Sequence, residues 1–380
     1  MAKQITNIAK NGFSLFNKNT LSCVNINVTR LLYTPNSLGL DGYLNSRDYV
    51  KHQFLSMDTM FRQKMNDNIS NYGDERLIFT EDLKNMLHLV EKNPSDLELM
   101  LKMIKKYNSQ NKLRFGSFVF GTIVMRVYYY LDEVDLALNA LRDPELNGFF
   151  DQITSYQLIM DLLYNHGKYI EIKELYDDLQ QKCINGQPHP RNPFILVMAA
   201  CYKENTPESY DYALKVLKDS QLKGNRNPRR SIMYLAALAL KQNDPQTALE
   251  ITSLARNPNY IAIRCLKIES YVKLKRPEEI MIYLRNSLQV DSSATKLSYF
   301  SDTVYKIDNF INEENLESNH DLVQLLKQIK QQDFIQTGTL SNHLDSEIQV
   351  LKHDRNQTFD KEFNHNRKRK VTFPEMRGVV

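Results

Sequence analysis

Three lysines, Lys203, Lys241 and Lys273, are the side chains whose type and spacing point to one chemistry. They follow one another at intervals of 38 and 32 residues, and each stands nine residues beyond the first marker of an apolar helical pattern, at Phe194, Ile232 and Arg264. Set side by side in consecutive repeats, ammonium groups at one register form a row that can follow a phosphate backbone. A single lysine near a helix C-terminus is better explained as a complement to the helix dipole; the aligned set favours RNA. Local charge agrees, because residues 189–241 hold nine Lys or Arg against four acids. Arg226, Arg229 and Arg230 fall just before the Ile232 pattern and would join the row. No catalytic grouping stands out. The eight histidines, His88, His166 and His189 among them, are isolated, without HExxH or other metal-ligand spacing. There is no Gly-rich phosphate loop, and Cys23, Cys183, Cys201 and Cys265 form no CxxC. The expectation is a non-catalytic protein, with no metal or cofactor, from a reducing compartment.

The elements that must position these lysines show in the stretch ITSYQLIMDLLYNHGKYIEIKELYDDLQQKC, residues 153–183. Ile153, Tyr156, Ile159, Leu162 and Leu163 keep one helical face apolar, and Tyr169, Ile172, Leu175, Tyr176 and Leu179 do so again. Thr154-x-x-Gln157 reads as a capping box at the first start, and Gly167 suits the left-handed position that ends a helix. So short a connection predicts an antiparallel helical hairpin. The hairpin recurs. Lys84, Gly121, Tyr156, Phe194, Ile232 and Arg264 mark first helices at intervals of 37, 35, 38, 38 and 32 residues. Met100, Ala137, Ile172, Ala213, Ala248 and Ile280 mark the second helices. A period near 35 predicts an all-α fold, an α-solenoid of stacked helical hairpins: a right-handed curved stack of about six between Thr80 and Leu288, free of β-sheet. Ala137, Ala213 and Ala248 should be buried where helices approach closely.

The 153–183 hairpin resembles a pentatricopeptide repeat. Ile153-Thr-Ser-Tyr-Gln157, the Gly167-Lys168 turn and Glu174-Leu-Tyr176 carry the likeness, and Ala137-Leu138, Ala213-Leu214 and Ala248-Leu249 supply the "AL" of neighbouring copies. Ile172 replaces the usual Ala, and the chain has no Trp, which sets it apart from tetratricopeptide repeats. The longer run from Phe120 to Tyr169 is similar to animal mitochondrial members of the family, and the likeness extends over roughly residues 75–260. The resemblance implies a matrix protein that binds single-stranded mitochondrial RNA, needed for transcript maturation and respiratory-chain function, with other RNA-processing or ribosomal proteins as further partners. It implies no catalytic residues. In the family the residue after the Tyr marker reads a base; here that is Thr122, Gln157, Ile195 and Met233. Ile195 and Met233 cannot hydrogen-bond a base edge, so a base-by-base code is not expected, while Thr122 and Gln157 remain candidate RNA contacts. The alternative is a scaffold within a mitochondrial ribosome or RNA-processing complex, without base recognition. Tyr128-Tyr129-Tyr130 is read as inter-repeat packing.

Composition bounds the rest. Only 12 Gly and 12 Pro in 380 residues favour helix throughout, and no apolar run in the repeats approaches the length of a membrane span. Residues 1–40 contain Lys3, Lys10, Lys18 and Arg30 and no acid, the signature of a mitochondrial transit peptide, with cleavage expected near Tyr33–Thr34. Residues 1–33 account for the whole net charge of +4, so the remainder is close to neutral. The expected organisation is a transit peptide (1–33), an extension with a helix (34–79), the solenoid (80–290), capping helices (291–335) including one at Leu316–Ile329, and a basic tail without a core (336–380) bearing Arg367-Lys-Arg-Lys370.

Overall fold

The computed structural model describes residues 32–70, 77–110, 118–289 and 298–348. The leader residues 1–31 and the Arg367–Lys370 block lie outside these. Among the described residues, the predicted span holds six helical hairpins. They are α4 (Thr80–Leu89) with α5 (Pro94–Ser109), α6 (Gly121–Leu131) with α7 (Val134–Arg142), and α8 (Ile153–Asn165) with α9 (Tyr169–Lys182). Then come α10 (Arg191–Glu204) with α11 (Pro207–Leu222), α12 (Arg229–Lys241) with α13 (Pro245–Ser253), and α14 (Ile261–Lys273) with α15 (Pro277–Gln289). First helices stack on first helices, α4 on α6, then α8, α10, α12 and α14 in turn, and each second helix packs into the following first helix from α7 onward. Ala137, Ala213 and Ala248 are fully buried, as are Met100, Ile172 and Ile280 at the same register. At the alanines the small side chain lets neighbouring helices approach closely.

The same plan continues at both ends, beyond what the repeat pattern showed. After α1 (Pro35–Leu38), α2 (Leu40–Phe54) and α3 (Asp58–Ser70) pack against α4 and α5 respectively. At the far end α16 (Ser301–Glu313) packs on α14, and α17 (Asp321–Gln331) on α15. The helix expected at Leu316–Ile329 is therefore α17, starting five residues later, with His320 as its cap. A two-residue parallel ribbon, β1 (Tyr299–Phe300) with β2 (Ile335–Gln336), closes this end, outside the repeat span. Residues 336–348, assigned to the tail by composition, instead fold back: α18 (Leu340–Leu344) packs on α12, α14 and α16, with Leu340 and Leu344 buried.

One turn type closes four of the six hairpins. Gly167 adopts the left-handed conformation; its N–H donates to Tyr164 O (3.1 Å) and that of Lys168 to Leu163 O (3.0 Å), a Schellman closure. Asp132, Asn243 and Lys275 hold the left-handed position in the corresponding turns, with the same backbone pairings; Asn205 does so with a single bond to Cys201 O. The start of α8 differs from expectation. Gln152, not Thr154, is the N-cap residue, and its side chain accepts from Ser155 Oγ at 2.9 Å, so Thr154 lies inside the first turn.

Candidate nucleic-acid interface

The positions expected to read bases are inside the protein. Gln157, Ile195 and Met233 are 6, 2 and 0 % exposed, and only Thr122 is partly open. The cause lies in the helices that carry them. Ten consecutive residues are buried in each of α8 (Ser155–Tyr164), α10 (Pro193–Tyr202) and α12 (Ser231–Leu240). A helix covered all round needs a layer on every side. Neighbouring first helices and the second helices supply three sides, and the two ends of the folded unit supply the fourth. From the N-terminal side, Tyr33 is fully buried, with its hydroxyl 3.5 Å from Asn192 O; burial first, then Asp161 and Tyr234, push its phenol up, while Arg191 and Arg230 pull it back. Arg126 of α6 donates from Nε to Leu38 O at 3.0 Å, holding α1 in place.

Below this cover runs a polar stripe at i, i+4 and i+8 of α8: Gln157, Asp161 and Asn165. Gln157 Oε1 accepts from Asn192 Nδ2 (2.9 Å), Asp161 Oδ2 from the Tyr129 hydroxyl (2.8 Å), and Asn165 Nδ2 donates to that same hydroxyl (3.1 Å). Gln157 Nε2, Asp161 Oδ1 and Asn165 Oδ1 find no hydrogen-bond partner among the described residues. Burial pushes the Asp161 carboxyl up to about 7, against the Tyr129 hydrogen bond. Tyr129 thus serves this stripe, whereas Tyr128 is packed inside.

The lysine register has a structural role that its spacing did not reveal. Lys273 Nζ donates to Leu240 O (2.6 Å) and Asn243 Oδ1 (2.8 Å) at the end of α12, and Lys241 Nζ reaches Tyr202 O (3.4 Å) at the end of α10 while lying 3.6 Å from the Tyr202 ring centre. Each therefore caps the preceding first helix, where the dipole and free carbonyls favour a cation. Lys203 breaks the pattern, pairing instead with Asp345, beyond α18, at 2.6 Å. Burial, then Lys203, pull the Lys241 ammonium below its ordinary value, opposed by Asp345. Burial, then Lys306, do the same to Lys273, opposed by Glu269.

The arginines divide. Arg226 is exposed, and Arg229 lies with its guanidinium carbon 3.7 Å from the Tyr260 ring centre. Arg230 is engaged. Its Nη1 donates to His343 O (2.5 Å) and Leu344 O (3.1 Å), and its Nη2 to Ser346 O (2.8 Å) and Oγ (2.7 Å). The Tyr234 hydroxyl donates to Leu344 O at 2.6 Å. The structure thus brings Lys203, Lys241 and Arg230 together about one segment, and leaves Lys273, Thr122 and Gln157 apart from it. Asp345 and Asp161 were missed by sequence reasoning; Asp345 sits in a stretch read as tail, and no local pattern marks its partner.

The histidines have structural partners. His189 is buried, its Nδ1 2.7 Å from the Tyr176 hydroxyl and its Nε2 2.8 Å from Asp219 Oδ2, so both ring nitrogens are occupied in joining α9 to α11. His166 Nε2 meets Asp132 Oδ1 at 2.6 Å between consecutive turns. Among the described residues no group of three or more His, Cys, Asp or Glu is placed to hold a metal, and no helix is long and apolar enough to cross a membrane.

Comparison with known proteins agrees with this architecture. The chain is 29 % identical over 263 residues to the Xenopus laevis protein named pentatricopeptide repeat-containing protein 2, mitochondrial, covering 69 % of this chain and 67 % of that one. To the proteins of that name from Danio rerio and Homo sapiens it is 34 % identical over 223 residues and 31 % over 231, covering 55 % and 60 % of this chain and 56 % and 58 % of theirs. No family model matches the chain, and no solved structure matches it. In sequence the chain resembles the mitochondrial pentatricopeptide repeat-containing protein 2, and its stacked helical hairpins are an all-α repeat architecture.

Proposed function

We propose that this chain is a non-catalytic RNA-binding protein of the mitochondrial matrix, acting in the maturation of mitochondrial transcripts and so in respiratory-chain function. The observation that carries the reading is the convergence of Lys203, at the end of α10, and Arg230, at the start of α12, on the carbonyls of His343, Leu344 and Ser346 and the Asp345 carboxylate. Cations placed to hold several oxygens in succession suit a phosphodiester backbone. The family resemblance and the mitochondrial names of the relatives support the same reading. Recognition rests on phosphates rather than bases, because Gln157, Ile195 and Met233 are enclosed. That enclosure also favours a second reading, a protein-interaction scaffold within a ribosomal or RNA-processing complex. Crosslinking in intact mitochondria followed by sequencing of the attached RNA separates them. Discrete transcript footprints are expected; recovery of protein partners with no RNA would establish the scaffold instead.

A further inference from the structure

The segment from Leu340 to Ser346 is held in an unusual way for the end of a helical stack. Its packing contacts are Leu340 and Leu344, from a helix of five residues, and the His343 ring against Tyr260 and Phe300. Its polar attachment includes the Asp302 carboxylate, which accepts from the Leu340 N–H, and the Tyr260 hydroxyl at His343 Nε2, but most of it comes from the basic site: Arg230 takes the carbonyls of His343, Leu344 and Ser346, Tyr234 takes Leu344 O again, and Lys203 takes the Asp345 carboxylate. We propose that this segment is an intramolecular stand-in for a single strand of RNA, and that RNA must displace it to reach the ends of α10 and α12. The inference rests on the RNA-binding reading above and adds its regulation.

The exchange it requires is balanced in type but not in strength. Carbonyl dipoles and one carboxylate serve the cations in the closed state, whereas a phosphodiester offers a full charge at every step. Arg230 and Lys203 lose no partners when a strand replaces the segment; they trade weaker ones for stronger ones.

Because the site is competent only while the segment is away, apparent RNA affinity is reduced by the open fraction. The test uses the full chain and a labelled oligouridine strand at fixed salt, read by fluorescence anisotropy. Asp345→Asn combined with Leu344→Ala loosens the segment without touching Lys203, Lys241 or Arg230, and should tighten binding about tenfold. Amide hydrogen exchange of the unaltered protein supplies the second measurement, and remains decisive if the double variant folds poorly. RNA should speed exchange across residues 340–346. If the unaltered protein binds RNA while those amides stay protected, and the variant binds no better, the stand-in is overturned and RNA binding stands. If neither protein binds RNA at any salt, the RNA reading itself fails and takes this inference with it.

Discussion

Asp161 is enclosed with its carboxyl held up to about 7, and that has a thermodynamic consequence. An acid whose folded value lies above its unfolded value binds more protons when folded, so stability must decline as pH rises between the two values. With an ordinary value of 3.8, the decline runs from about pH 4 to about pH 7 and then levels. Replacing Asp161 with Asn keeps shape and hydrogen bonding but removes the charge. Urea unfolding at several pH values should show this part of the slope vanish, with the variant more stable than the parent at pH 8 by on the order of 2 kcal/mol. An unchanged slope would mean that the carboxyl is not enclosed. In the sequence, Gln157 was expected as an RNA contact, and Asp161 and Asn165 were given no role. They are buried because residues more than a hundred positions away cover them, as Tyr33 does at Asn192, and no local pattern encodes that.

The helix and its turn were the most legible level. Apolar spacing marked all six central hairpins, because burying a helical face against a neighbour imposes that spacing wherever the repeat occurs. Turns were legible only at Gly167; Asp132, Asn205, Asn243 and Lys275 adopt the same left-handed geometry with side chains that do not announce it. Gly167→Ala should therefore cost about 1 kcal/mol in a urea titration, through backbone strain alone, since nothing lies within 4 Å of the added methyl. The α2–α3 pair was read as an extension with one helix because its apolar face is diluted, with Leu55, Met57 and Met60 exposed. The lysine register was legible as a register, but its partners were not: those of Lys241 and Lys273 lie one repeat back, and that of Lys203 is Asp345, beyond the repeats. Replacing Lys203, Lys241 and Lys273 together with Gln should weaken binding to all RNA sequences alike. It should also reduce the salt slope of log K by about 0.7 per lost contact on single strands. If affinity and slope both hold, the lysines act as helix caps alone, and the variant should show its loss in thermal stability.

At the scale of the whole chain, the fold begins inside the expected leader. Leu32 and Tyr33 were assigned to the leader, yet both are fully buried, and α1 follows directly with Thr34 as its cap. N-terminal sequencing of the mitochondrial form should find a start at or before Leu32, upstream of the Tyr33–Thr34 junction. A chain begun at Thr34 should be less stable in urea by about 3 kcal/mol, the scale for deleting a buried aromatic side chain. Such a boundary is invisible to composition, because leader and folded segment are equally poor in acids up to Asp41.

A stack in which each repeat meets only its neighbours behaves as a one-dimensional array, able to nucleate anywhere and to fray from either end. Here both ends are fastened to the middle: Tyr33 to Asn192 across 159 residues, and Arg230 to Ser346 across 116. Those closures demand large loops before they return any contact energy, so they raise contact order and slow the last step of folding. They also join the terminal repeats to the central ones, so the unit resists unzipping repeat by repeat and comes apart as one cooperative event.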